Sequence, residues 1–401
     1  MKSKILLAFF ILALLLSSCI TEYFTTLTNH KPMLFVDGSI VANTDAVFHI
    51  TQSFALNVSG VPDEAFVNNA ILRIIDSNGN QSEPAISLGR GRYQISIGEL
   101  HDDVRYGIEI EHNGDIFRST LALPLYTPEV EVRWTQYEPF GAVYFYLSTH
   151  DETDESRFFL WHYVEDWEIR TRATTLFYNL ETNTFRTSGS VLYSRCWRQN
   201  IHYELGTTEA LTTNSIIDQE LLRIEPEGSR FWYLYSITVT QKAISQGAFE
   251  FHQNMKQQNE EMGGIFTPQP TEVLGNIRCI TNLSRRVMGY VNTLKNVSRQ
   301  KIMIRHSELI WPYATEIIQF EEYCRCNTHP FEFFRELGFT APQLYREGFR
   351  PSRGDIGNLS DILWSPIVCV DCRELEDRAT TNRPYFWFDV HRSRPDVTCR
   401  D

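Results

Sequence analysis

Between Met33 and Leu123 the chain carries seven short β-type runs and no helical stretch, and this density of strands limits the fold more than any other feature. The runs read MLFVDGSIV, AVFHITQSF, AILRIID, EPAISL, GRYQISI, VRYGIEIE and DIFRSTLAL. Turn chemistry lies between them: Gly79 sits within DSNGN and Asn113-Gly114 within EHNGDI. Asn-Gly accepts the positive φ angles of a type I′ turn, so the second is the stronger hairpin signal. Seven strands in about ninety residues predict an immunoglobulin-like β-sandwich over residues 32–124. The two prolines of LPLYTPEVEVRW then mark a crossing into a second unit.

That second unit, residues 125–390, reads as a larger β-rich (α+β) domain. GAVYFYLSTH, SRFFLWHYVEDWEIR and TLFYNLETNTF are aromatic strand candidates, and RQKIMIRHSELIW and NRPYFWFDV again favour strands. The one prominent amphipathic helix follows Ser245, a residue placed to cap it, with Ile244 and Phe249 at the positions of a hydrophobic staple and Gly263 able to close it. Ile244, Ala248, Phe251, Met255 and Met262 form a single apolar stripe, which predicts docking on the second domain. The same stripe could serve a partner protein. Residues 391–401 read as a loosely held tail.

The N-terminal segment answers where such a protein works. Lys2 and Lys4 precede an uncharged apolar core from Ile5 to Leu16, followed by Ser17, Ser18 and Cys19. A core of 12 residues is short of the roughly 20 that span a bilayer, so residues 1–18 read as a signal peptide. Leu16-Ser17-Ser18-Cys19 looks like a bacterial lipobox, which predicts lipidation of Cys19 and an outer-membrane lipid as its first partner. Two or more acyl chains, at about 0.8 kcal/mol per buried methylene, hold a protein stably. Residues 19–31, polar and Thr-rich, suit a tether.

The formal charge of −13 makes nucleic acid an unfavourable partner. Cys19 aside, seven cysteines remain, an odd number, and an exported chain meets oxidising conditions. Cys324 and Cys326, in CRC, and Cys369 and Cys372, in CVDC, are therefore disulfide candidates, bridged within or between the two pairs. Zinc would need a second C-x2-C rather than C-x-C, and a thioredoxin-like site would need a helix beginning at Cys369 within a βαβ unit. Neither metal nor other cofactor is expected. The acidic turn at Asp151, Glu152, Asp154 and Glu155 lacks the glycine and ligand ladder of calcium loops and reads as solvated.

No G-x-S-x-G, H-E-x-x-H or P-loop occurs, and GRGRYQ lacks the third glycine of a dinucleotide turn. Glu321 and Glu322, like Glu260 and Glu261, are sequence neighbours whose side chains diverge and cannot alone flank a glycosidic bond. His162, in FFLWHYV, reads as a packing residue. No catalytic residue is assigned.

In LFVDGSI, RCWR, YSITVTQKAIS, GGIFTPQPTEVLGNI, VMGYV and CVDCRELEDRATTNRPYFW, and in their order, the chain resembles the family known as domain of unknown function 4249, lipoproteins of Bacteroidota-type bacteria. The family's association with TonB-dependent receptors implies a part in nutrient capture or uptake, and with no catalytic motif in view the chain reads as a non-enzymatic outer-membrane lipoprotein that binds a glycan or peptide ligand, or the receptor itself. A hydrolase and a structural surface protein are the alternatives. Glu22 alone follows Cys19 in CITEY, so the periplasmic and cell-surface faces both stay open.

Overall fold

The seven β-type runs are all strands in the computed structural model, which describes residues 32–388 except 55–60, 154, 172–174, 187–192, 209–213, 226–228, 262–274, 311–327 and 354–357. The leader, Cys19, the tether, Cys324, Cys326 and the tail lie outside the described residues. The protein is mainly β, 49% strand and 14% helix. Among the described residues no helix is long and apolar enough to cross a membrane.

The first run divides at Gly38 into β1 (Leu34–Asp37) and β2 (Ser39–Val41). Gly38 has φ +155°, and a Cβ there would lie 2.3 Å from the Phe48 ring, so only glycine fits. The next strands are β3 (Thr44–Gln52), β4 (Ile71–Asp76), β5 (Ile86–Gly89), β6 (Arg92–Ile97), β7 (Tyr106–His112) and β8 (Asp115–Ser119). Asn113 and Gly114 both take positive φ between β7 and β8, with His112 opposite Asp115. Two sheets enclose a core that includes Phe48, Ile50, Tyr93, Ile108, Ile110 and Phe117.

The second unit is a second sandwich. β9 (Val130–Gln136), β10 (Val143–His150) and β15 (Ser215–Ile224) form one sheet in the order β15-β10-β9. The other runs β14-β11-β16-β20, from β11 (Phe158–Arg170), β14 (Arg195–Thr207), β16 (Leu234–Ile244) and β20 (Ser298–Arg305). Side chains alternate along β10, with Val143, Phe145 and Leu147 inward. They meet Phe159, Trp161, Trp167 and Tyr235 of the facing sheet. The Trp161 indole donates to Gln241 Oε1 at 2.7 Å, and Gln241 Nε2 donates to Pro128 O and Thr149 Oγ1, both at 2.8 Å. Those bonds offset the cost of burying the amide.

The sequence boundary near Pro124 does not close the first sandwich. The chain returns to it as β17 (Ile277–Cys279), β18 (Val287–Met288) and β19 (Asn292–Leu294). β18 pairs parallel with β1, β19 parallel with β2, and β17 antiparallel with β8. Gly289 permits the approach: a Cβ on it would lie 2.1 Å from Val36 O.

Helix α1 (Gln246–Glu261) starts where the cap predicted, with Ala248 N donating to Ser245 Oγ at 3.2 Å. Ile244, Ala248 and Phe251 are buried, and Phe249 packs 5.0 Å from the Phe158 ring. Met262 and Gly263 lie outside the described residues. Phe251, with Tyr290 5.9 Å away, is core. Phe251→Ala is therefore expected to destabilise the protein by about 3–5 kcal/mol, the usual cost of truncating a buried Phe. Denaturant titration of the two proteins side by side measures it, and coincident curves would contradict the packing.

A third, smaller cluster follows. The hairpin β12 (Phe177–Asn179) and β13 (Thr184–Arg186) packs with α2 (Phe331–Glu336), α3 (Ala341–Arg346) and the sheet of β21 (His329–Pro330), β22 (Phe349–Arg353) and β23 (Leu363–Pro366), ordered β21-β23-β22. Trp364 is at its centre, fully buried, with the Tyr178 and Phe185 rings edge-on to it. NRPYFW is a correction to the sequence reading, since residues 381–387 form no strand. Instead Phe386 and Trp387 lie across Trp197, Leu234 and Met303, covering the sheet's outer face.

Cysteine pairing also differs from expectation. Cys372, at the start of the short helix α4 (Cys372–Leu375), is bonded to Cys196 of β14, 176 residues away, and not to Cys369, Cys324 or Cys326. Cys196 lies opposite Ile169 in the sandwich core, and Cys372 N donates to Tyr193 O at 2.8 Å, so the backbone brings the two thiols together. Cys369 is disulfide-bonded too, to a partner outside the described residues, and Cys279 is a buried free thiol.

Candidate functional site

Just before the aromatic hairpin β12–β13, Leu176 N donates to Pro351 O of β22 at 2.7 Å. Beside that junction opens a cleft of about 410 Å³, within the range that holds small ligands. It is lined by Thr175, Leu176, Phe177 and Tyr178, by Tyr345 and Arg350, and by Tyr193, Ile367, Asp371, Arg373 and Glu374. Burial raises the Tyr178 pKa, and its hydroxyl donates to Asn183 Oδ1 at 2.7 Å.

Both guanidiniums of the cleft lie over tyrosine rings. Arg373 is 3.4 Å from the Tyr193 centroid and Arg350 is 3.8 Å from that of Tyr345. Arg373 is also clamped by Asp371, Nε to Oδ1 at 2.9 Å and Nη2 to Oδ2 at 2.6 Å, and these bonds hold its pKa above the usual value. Arg350 Nη1 donates to Tyr345 O at 2.7 Å and Phe349 O at 2.8 Å. Rigid rings and fixed donors suit recognition.

A second concentration of polar groups lies on β11, and its role is different. Glu165, Asp166 and Glu168 are buried, Glu165 on the inner face of the sheet and the other two on the outer. Glu165 accepts from the Tyr235 hydroxyl and contacts His202 Nε2, both at 2.9 Å. Burial and the Glu165 carboxylate push the Tyr235 pKa well above its ordinary value. Burial likewise raises that of Asp166, which accepts from Gln199 at 2.9 Å. Glu168 accepts from Arg170, from Arg195 at 2.6 and 3.0 Å, and from the Trp387 indole at 2.9 Å. These carboxylates hold the sheet together, and the pleat turns Glu165 and Asp166 away from each other.

The sequence-predicted residues do not converge on the cleft. Of the four cysteines, Cys369 and Cys372 flank Asp371 at its edge, and each is taken up in a disulfide. In the acidic turn, the Asp151 carboxylate accepts from Thr153 N and Oγ1, Glu155 N and Ser156 N at 2.7–3.0 Å. Burial pushes its pKa up, and these bonds outweigh burial and leave it lowered. Asp151 thus organises its own loop, while Glu152 and Glu155 face solvent. His162 is half-buried and stacks 4.8 Å from Tyr203. Among the described residues no three His, Cys, Asp or Glu are placed to hold a metal ion. Tyr193, Tyr345, Arg350 and Arg373 escaped the sequence reading. The aromatic run TLFYNLETNTF and the CVDC pair just before Arg373 were the signals near them, and neither pointed to a cleft.

Two β-sandwiches and a small third cluster with an aromatic cleft beside it make up a mainly β protein. Residues 20–300 match the family described as a domain of unknown function, DUF4249, and the chain belongs to that family. The match ends before α3 and β22, so Tyr345 and Arg350 lie beyond it. No curated protein matches the chain. Among solved structures, an alpha-2-macroglobulin from Salmonella aligns at 9% identity over 53% of this chain and 14% of its own, with a TM-score of 0.18. A DUF3823 family protein from Bacteroides ovatus aligns at 14% identity over 53% of this chain and 91% of its own, with a TM-score of 0.14.

Proposed function

We propose that this protein is a non-enzymatic outer-membrane lipoprotein that binds a small ligand for a TonB-dependent uptake system. The observation that carries the reading is the cleft between Tyr178, Tyr193 and Tyr345, whose guanidiniums are held over tyrosine rings by groups of the protein itself. Side chains held in this way lose less entropy on binding. The buried carboxylates of β11 support binding over hydrolysis, because each is engaged by donors of its own sheet or of the segment lying across it.

A pull-down from native membranes in mild detergent tests the receptor partnership. A TonB-dependent receptor is expected to co-purify, and its absence under conditions that keep the membrane complexes of the same cells intact would refute it. Anchoring rests on Cys19 behind the short apolar core. Cys19→Ser is expected to move the protein from the membrane pellet to the soluble fraction, because it loses the acyl chains. Intact-mass measurement of the wild type should show the lipid, and an unmodified Cys19 would remove the basis for the anchor.

A further inference from the structure

The cleft holds two guanidiniums and two carboxylates, and only one pair cancels. Arg373 is bonded through both Nε and Nη2 to Asp371. Arg350, in contrast, has no carboxylate partner among the described residues, and its Nη1 is held by the carbonyls of Tyr345 and Phe349. That hold, with the ring of Tyr345 beneath the guanidinium, fixes the plane of the group and leaves its other N–H donors uncommitted. A planar cation held in this way matches the two oxygens of a carboxylate. We infer that Arg350 is the anchor for a carboxylate group, and that the ligand joins this group to a ring-shaped or apolar body resting on Phe177 and Tyr178. The inference rests on reading the cleft as the binding site.

The rest of the lining narrows the class. Glu374 is exposed on the cleft wall with no ion-pair partner among the described residues, so a second carboxylate on the ligand would be repelled. About 410 Å³ accommodates two or three ring-sized or side-chain-sized groups. A single carboxylate on such a body occurs in an acidic sugar of a short glycan and at the free C-terminus of a short peptide. Both present the same group to Arg350.

Calorimetry on the mature chain with four probes separates these sources and tests the anchor. The probes are a disaccharide carrying one uronic acid, its neutral methyl ester, a tripeptide ending in Phe with a free carboxyl, and its C-terminal amide. We expect one acid to bind at least about tenfold more tightly than its neutral counterpart, the scale of one charge-assisted contact. The pair showing that gap identifies the source. Arg350→Gln should close the gap, and Arg350→Lys, which keeps the charge without the planar fork, should restore part of it. Thermal melting of both variants checks that they fold, while the acid-to-neutral comparison needs no variant at all. Equal binding of acid and neutral forms would overturn the carboxylate anchor and leave the cleft standing as a binding site. If none of the four probes binds, the anchor and the cleft reading both fall.

Discussion

Replacing Cys196 and Cys372 together by serine is expected to lower stability by about 2–5 kcal/mol, the range for loss of a native bridge. The bond closes a span of 176 residues, and loop-closure entropy places a span of that size near the upper end. It also ties α4 and the following residues to β14, where Trp197 and Thr380 exchange main-chain bonds of 2.7 and 2.8 Å. Chemical denaturation without reductant, against the wild type, measures the loss. An unchanged midpoint would mean that the sheet holds this segment without the bridge. Complete reduction of the wild type should cost more than the double substitution, because Cys369 is bridged as well.

The second large effect is expected from Glu168→Gln. The Glu168 side chain is wholly buried and balances Arg170 and Arg195 while accepting from the Trp387 indole. An amide keeps the shape and loses the charge to which both guanidiniums are bonded. Breaking a buried ion pair from one side commonly costs about 3–5 kcal/mol. The exposed pair of Arg378 and Asp377, 3.4 Å apart, is the internal control, since Asp377→Asn should leave the melting temperature where it is. Because Trp387 lies on the carboxylate, its fluorescence should shift in the Glu168 variant at denaturant concentrations below the global transition. If the two variants melt alike, the buried network contributes nothing measurable.

What the sequence made legible follows the range of each interaction. The strands from Leu34 to Ser119 pair largely with near neighbours through turns such as Asn113-Gly114, so local alternation sufficed to find them. The start of α1 was equally local, resting on Ser245 and the positions three and four residues on. β17, β18 and β19 are two or three residues long and pair with strands at least 150 residues earlier, too short and too distant for any periodic signal. The close spacings CRC and CVDC suggested bridges among themselves. Cys196, isolated in RCWR, offered no hint that the fold would bring it to Cys372. The cleft suffered most, because its walls come from stretches around residues 176, 193, 345 and 373 that only the fold unites. NRPYFW looked like a strand through its aromatics, yet those side chains are spent covering a sheet that is already complete.

The late return of the chain to its first sandwich also has a mechanical side. Because β17–β19 belong to the first unit and β20 to the second, the chain crosses between the units more than once. Two of these crossings run side by side: Leu125 N donates to Thr293 O and Lys295 N to Leu125 O, while Thr127 and Asn296 exchange three bonds of 2.7–2.9 Å. A single linker would let one sandwich swivel freely on the other. A cross-braced pair resists torsion as a strap resists where a string does not. A twist applied to the first sandwich would thus be passed to the second, with little of it lost at the joint.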